Sequence, residues 1–255
     1  MKRRDDHLKI LSAQALLALS LLGVTGMAHS QNNTQRVKFE IKSLDELEIR
    51  SAKLDGAAAP PNPSAEISEY LGRRAIQLVN RAGVTAAGTP ANGETIAIVA
   101  GSDFGDGTIE VNVAGLPREG AQPGVRGFVG VAFRVAAHGE RYECISLREL
   151  NGRVDDQLRR NHTTQYSEYP DFPWHRLREE SPGVYESYAD VDPRAWTRIK
   201  ILVSGATARL YVNGTEQPSL IVNDLKLGKT RGQIALWVGT DTVGYFSDLV
   251  VERRL

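Results

Sequence analysis

The residues best suited to chemistry lie in one stretch, Asn151 to Arg178, which reads NGRVDDQLRRNHTTQYSEYPDFPWHRLR. Arg159, Arg160, Asn161 and His162 stand in a row, and Gln165 and Tyr166 follow. Arginine and asparagine can neutralise and hydrogen-bond a sugar carboxylate. His162 or Tyr166 can then take or deliver a proton at carbon. Those are the parts of a β-elimination on a uronic acid. The same side chains suit plain recognition of an anionic or neutral glycan. Adjacent arginines and a histidine also occur simply solvated, or paired with acids such as Asp155 and Asp156. Further along, Trp174 and His175 follow Pro170-Asp171-Phe172-Pro173. An indole held there offers a platform for the C–H face of a sugar, or it anchors the segment to the body of the protein. A loop this long in a compact domain is functional or disordered. Disordered segments are poor in aromatics, so residues 151–178 read as an ordered lid or rim around a site.

Other chemistries have weaker footing. Hydrolysis by two carboxylates needs an acid pair about 5–10 Å apart, and the candidates are Glu143, Glu149, Asp155 and Asp156. The Glu-x-Asp-x-x-Glu strand signature of laminarinase-like enzymes is absent from the expected strands. No metal site is expected, because His138, His162 and His175 lack helical ligand spacing. Asp103 and Asp106 in SDFGDG offer oxygen ligands to Ca²⁺, against the plainer reading of a tight turn. No Gly-x-Ser-x-Gly elbow and no phosphate-binding glycine loop occur, so no cofactor is expected. Cys144 reads as packing rather than as a nucleophile.

The elements that must position these residues are strands. Period-2 alternation dominates, and no helical period persists. Strands are expected at Arg36 to Leu44, Glu46 to Leu54, Arg73 to Asn80, Glu94 to Ala100 and Gly107 to Ala114. The Pro-rich run Ala57 to Pro63 breaks the pattern. Gly127 to Ala136 places Val129, Val131, Phe133 and Val135 on one face and Phe128, Gly130, Ala132 and Arg134 on the other. Arg141 to Leu150 opposes Ile145 and Leu147 to Tyr142, Cys144, Ser146 and Arg148. If the aliphatic faces form the core, the other face is small and polar and carries Arg134 and Arg148. Small residues there leave a hollow for a ligand; the alternative is the solvated side of an antiparallel sheet. A hairpin around Ser204-Gly205-Ala206, a turn at Asn213-Gly214, and strands at Gln233 to Val238 and Tyr245 to Val251 close the domain.

The ends and the composition set the context. Residues 1–30 combine a basic opening, an apolar run from Ile10 to Val24 and small residues Ala28 and Ser30, the anatomy of a cleaved signal peptide. The apolar run is shorter than the roughly 20 residues of a spanning helix. The expected mature chain is a single domain, 31–255, in the periplasm or secreted, with no membrane contact after cleavage. The balance of 31 basic and 31 acidic residues gives no electrostatic case for nucleic acid. The single cysteine excludes an intrachain disulfide. The sequence leaves the oligomeric state open, and also whether residues 31–100 belong to the main sandwich.

The order DGTIEVNV, GFVGVAFRV, ERYECISLR, WTRIKILVSGATARLYVNG, GQIALWVG and YFSDLVV resembles the concanavalin A-like lectin/glucanase superfamily, including laminin G-like domains and the 3-keto-disaccharide hydrolase-type domain. The resemblance implies an all-β antiparallel sandwich, a jelly roll. GFVGVAFR followed by RYEC is similar to the strands lining the sugar-facing groove of the hydrolase-type domain, which implies that Arg134 and Glu143 face the ligand. Simple alternation sets those two on opposite sides unless a bulge intervenes. The resulting expectation is an exported protein that binds or processes a carbohydrate on its concave face and the 151–178 loop. His162, Tyr166 and Glu143 are the candidate catalytic groups. Arg134, Arg148, Arg159, Arg160, Asn161, Gln165, Trp174 and His175 are the candidate binding groups. The alternatives are a 3-keto-disaccharide hydrolase-type enzyme, a polysaccharide lyase-like eliminase, and a laminin G-like protein-contact module.

Overall fold

A computed structural model describes residues 34–53, 64–81 and 93–254. The signal segment and the Ala57 to Pro63 linker expected from sequence lie outside the described residues. Among the described residues, fifteen strands run in chain order as β1 (Thr34–Phe39), β2 (Leu47–Lys53), β3 (Ser64–Tyr70), β4 (Arg73–Val79), β5 (Gly93–Phe104), β6 (Asp106–Pro117), β7 (Phe128–Val135), β8 (Tyr142–Arg148), β9 (Thr164–Tyr169), β10 (Glu186–Ser187), β11 (Thr197–Ser204), β12 (Thr207–Val212), β13 (Leu220–Val222), β14 (Gly232–Val238) and β15 (Thr242–Arg254). Two short helices, α1 (Gln157–Asn161) and α2 (Trp174–Glu180), flank β9.

The strands form two antiparallel sheets, a jelly-roll sandwich. Sheet A has the order β13-β12-β11-β6-β15-β4-β3, with β1 also on β15. Sheet B has the order β10-β9-β8-β7-β14-β5-β2. The early strands pair with late ones: β1 and β4 lie on β15, and β2 lies on β5. The main core fills the space between the sheets. It sets Val129, Val131, Ile145, Leu147, Leu236 and Val238 against Ile109, Val111, Val113, Ile199, Ile201 and Val203.

The outer faces of the two sheets differ. Strand β11 alternates buried and exposed residues along Thr197–Ser204, as a strand with one wet face should. Strand β8 is buried at every position, so something covers the outer face of sheet B. Part of the cover is a second apolar cluster of Ile96, Ile98, Ala132, Val135, Tyr142, Cys144, Ala235 and Trp237. Tyr142 stacks on Tyr169 there, with centroids 5.0 Å apart. The 137–139 turn lies so close that a Cβ on Gly139 would stand 2.7 Å from Ile96 Cδ1.

Two expectations need correction. Strand β7 does not alternate to its end, because Arg134 sits in the left-handed region at φ 53° and the register against β14 shifts between Gln233 and Ala235. This bulge supplies one extra residue. Val135 therefore joins the outer cluster, and Arg134 turns inward and is fully buried. Its guanidinium donates to Gly105 O at 3.1 Å, Gly205 O at 2.7 Å, Gly228 O and Asp106 Oδ1 at 3.0 Å. Asp103 pairs with Arg231 at 2.8 Å. Both aspartates of SDFGDG thus meet guanidinium groups. Second, the 151–178 stretch is not a loop. It is a helix, a strand of sheet B and a helix.

Arg134 is a clamp on three turns at one end of the sandwich. Arg134→Ala takes the guanidinium donor from three carbonyls and leaves the Asp106 carboxylate only its bond from Gly205 N. We expect a loss of about 3 kcal/mol in urea unfolding, given about 1.5–3 kcal/mol for each hydrogen bond to a charged group. A loss below about 1 kcal/mol, the ordinary scale for a point change, would contradict the clamp.

Candidate functional site

A cavity of about 410 Å³ opens on the part of sheet B's outer face that the apolar cluster leaves free. That size suits a small ligand. Strand alternation supplies its floor: Ser146 and Arg148 from β8, Gln165 and Ser167 from β9, Trp237 from β14 and Phe128 from β7. Their neighbours Leu147, Tyr166 and Leu236 point to the core.

Helix α2 supplies one wall. Its Leu177 is buried, which orients Trp174 and Arg178, four residues apart on one side, toward the cavity. Two guanidinium carbons lie near the Trp174 ring, Arg178 at 4.6 Å and Arg148 at 5.6 Å from its centroid. Helix α1, capped by the Asp156 carboxylate on Arg159 N, brings Arg159 and His162 to the rim.

One carboxylate organises these groups. Glu186 accepts from Arg148 NH1 at 3.1 Å and Arg178 Nε at 2.9 Å, and lies 3.6 Å from His162 Nε2. Arg148 also donates to Gln165 Oε1 at 2.9 Å and His162 O at 3.0 Å. Burial alone would raise the Glu186 carboxyl. The Arg178 hydrogen bond and the charges of Arg148, Arg178 and His162 outweigh it and hold the group below its ordinary value. Burial brings Arg148 down to about 10 although Glu186 opposes this. Burial also pushes His162 down, against Glu186 and with Arg178 and Arg148.

Another carboxyl, Glu94, lines the cavity itself. Burial raises its pKa, although Tyr142 OH and Trp237 Nε1 (2.8 Å) both donate to it.

Of the binding groups read from sequence, Arg148, Arg159, Gln165 and Trp174 line this cavity, as does the candidate proton carrier His162. Arg160, Asn161 and His175 do not. Arg160 lies over the Tyr188 ring at 4.8 Å and donates to its hydroxyl. Asn161 accepts from Gln157 on α1. His175 packs edge-on against Trp174. Tyr166 and Glu143 are on the core side of sheet B, bonded to each other and to Lys226 N and Leu227 N at 2.8 Å each. Burial, then the Glu143 charge, drive the Tyr166 hydroxyl pKa far up. Tyr166 therefore cannot share a substrate with His162. Arg134 and Glu143, expected in a groove, both face the interior. Glu94, Arg126, Arg178, Glu186 and Trp237 went unassigned in the sequence, although Ala235-Leu236-Trp237-Val238 alternates clearly enough to place Trp237 opposite the core.

The architecture is an antiparallel two-sheet jelly roll, and solved structures share it. A protein of unknown function with a galectin-like fold from Bacillus subtilis has a TM-score of 0.52 at 12% identity, over 86% of this chain and 94% of that one. The carbohydrate binding module CBM66 from Bacillus subtilis gives 0.47 at 11% identity, over 74% and 92%. A β-1,3-1,4-glucanase (lichenase) derived from a mouse hindgut metagenome gives 0.47 at 14% identity, over 87% and 99%. Likeness at such identities is of fold alone. No family model and no curated protein matches the sequence.

Glu186→Gln tests the organising carboxylate. Removing one partner of a buried pair costs about 3–5 kcal/mol, so urea unfolding at pH 7 should show a deficit of that order. The folded pKa of Glu186 lies below its unfolded value of 4.5. Its contribution is therefore complete above that pH and is lost as pH falls through the folded value. The gap between wild type and variant should close in acid. Equal stability at pH 7 would sink this assignment.

Proposed function

We propose that this chain is an exported glycan-binding protein whose saccharide lies in the cavity over sheet B. The observation that carries the reading is the pairing, in one cavity, of a half-exposed indole with a floor of fixed hydrogen-bonding groups. Trp174 presents a face for the apolar C–H side of a sugar ring. Arg148, Gln165 and Asn151 stand beside it, each already oriented by neighbours rather than free to rotate. A site whose donors are held before the ligand arrives loses little side-chain entropy on binding. Phe128 and Trp237 add aromatic surface to the same cavity.

Binding is favoured over β-elimination through His162 and Tyr166, because sheet B separates that pair. It is favoured over a 3-keto-disaccharide hydrolase using Arg134 and Glu143, because both face the interior and neither lines the cavity. Export rests on the segment Met1 to Ser30; residues 31–255 are then the mature jelly-roll domain. Among the described residues no helix is long and apolar enough to cross a membrane.

The test is calorimetric titration of a panel of neutral, uronate, sulfated and 3-keto oligosaccharides, with product release followed in parallel. The protein is recovered from the exported fraction, where its N-terminus should lie near Gln31. At least one class should bind without turnover. Trp174→Ala should weaken that binding tenfold or more, since buried aromatic anchors carry about 2 kcal/mol or more. Turnover would move the protein to the enzymes. Silence across the panel would remove the glycan site and favour a protein-contact module.

A further inference from the structure

The four arginines of the cavity are of two kinds. Arg148 and Arg178 share Glu186. Arg126 and Arg159 meet no carboxylate among the described residues. Arg126 donates from NH1 to Val125 O at 3.2 Å. Arg159 donates to Asn151 Oδ1 at 3.4 Å and Leu150 O at 3.3 Å, both near the limit of a hydrogen bond. A guanidinium carries five N–H donors, so most of theirs remain unused.

The two residues arrive from separate parts of the chain, and each is held. Arg126 follows the 122–125 turn, and its carbonyl accepts from Leu150 N at 3.0 Å. Arg159 is on α1, whose first turn is capped by Asp156. Both are half-buried and both line the cavity. Burial, and then the Arg159 charge, push the Arg126 guanidinium below its ordinary value. Like charges partly withdrawn from water repel until an anion joins them.

We infer that Arg126 and Arg159 form an anion subsite, and that the saccharide taken by this cavity carries a carboxylate or a sulfate. The inference rests on the glycan reading above and narrows it to acidic sugars. Two guanidinium forks match the paired oxygens of a carboxylate or the oxygens of a sulfate. A neutral sugar would leave both charges uncompensated. A uronate and a sulfate ester present the same chemistry to the pair, so the ligand is defined here by its anionic group.

The experiment compares wild type with Arg126→Gln and Arg159→Gln. Calorimetry is run with size-matched neutral, uronate and sulfated oligosaccharides. Thermal shift is run with free glucuronate and inorganic sulfate. Wild type should prefer an acidic oligosaccharide over its neutral counterpart at least tenfold, and the preference should fall with added salt. Which acidic class shows the preference identifies the anion. In either variant the preference should collapse toward parity. Arg126→Gln should melt no lower than wild type, because it relieves a repulsion, which separates lost binding from lost folding. Neutral and acidic sugars binding equally to wild type would overturn the subsite and leave the glycan reading standing. If no oligosaccharide and no glucuronate binds but inorganic sulfate stabilises wild type and not the variants, the glycan reading fails and the anion pair survives. No response to any anion overturns the pair itself.

Discussion

One buried carboxylate holds the site together. Glu186 reaches from the edge strand β10 to Arg148 on β8, Arg178 on α2 and His162 at the end of α1. Four elements that are separate in sequence meet on its two oxygens. Such a cluster is expensive to bury and is worth keeping only if its members are satisfied together. Here Arg148 donates to Glu186, Gln165 and the His162 carbonyl. Two members of the network, Arg148 and Arg178, also approach the Trp174 ring.

The second constraint is the division of the outer face of sheet B. Antiparallel sheets usually leave one face to water, and sheet A does so. Sheet B instead carries Gly130, Ala132, Cys144, Ser146 and Ala235 outward, too small to fill the space above them. Tyr142 and Trp237 lie across part of that hollow, and Glu94 is bonded to both. The remainder is the cavity. Burial raises the pKa of Glu94, as it does that of Glu149, whose Oε1 has no hydrogen-bond partner.

The strands that alternate were legible in the sequence. Gly107 to Ala114 became β6, and the hairpin through Ser204-Gly205-Ala206 and the turn at Asn213-Gly214 hold as read. Strand β9 was not legible. Its core side is Thr164, Tyr166 and Glu168 and its cavity side is Gln165 and Ser167, so no aliphatic rhythm marks it. The bulge at Arg134 could not be read either, since nothing local distinguishes a left-handed arginine from an extended one. That single residue moved Arg134 and Val135 to the faces opposite those expected. The candidate site was half legible. The Arg/His/aromatic stretch pointed to the right place, but Arg126 and Glu94 stand in separate, ordinary strand and turn contexts and are joined to it only by the fold.

The central claim is that the ligand occupies the outer face of sheet B, and the chain's own indoles report on it. Of the three tryptophans, Trp174 and Trp237 line the cavity. Trp196 lies elsewhere, with its Nε1 on Tyr70 O at 3.2 Å and its ring edge-on to Tyr70. The measurement is the indole N–H region of a ¹⁵N-correlation NMR spectrum during titration with a uronate oligosaccharide. The expected result is that the Trp174 and Trp237 signals move in saturable fashion while Trp196 stays fixed. Movement of Trp196 with the other two at rest would contradict the placement of the site.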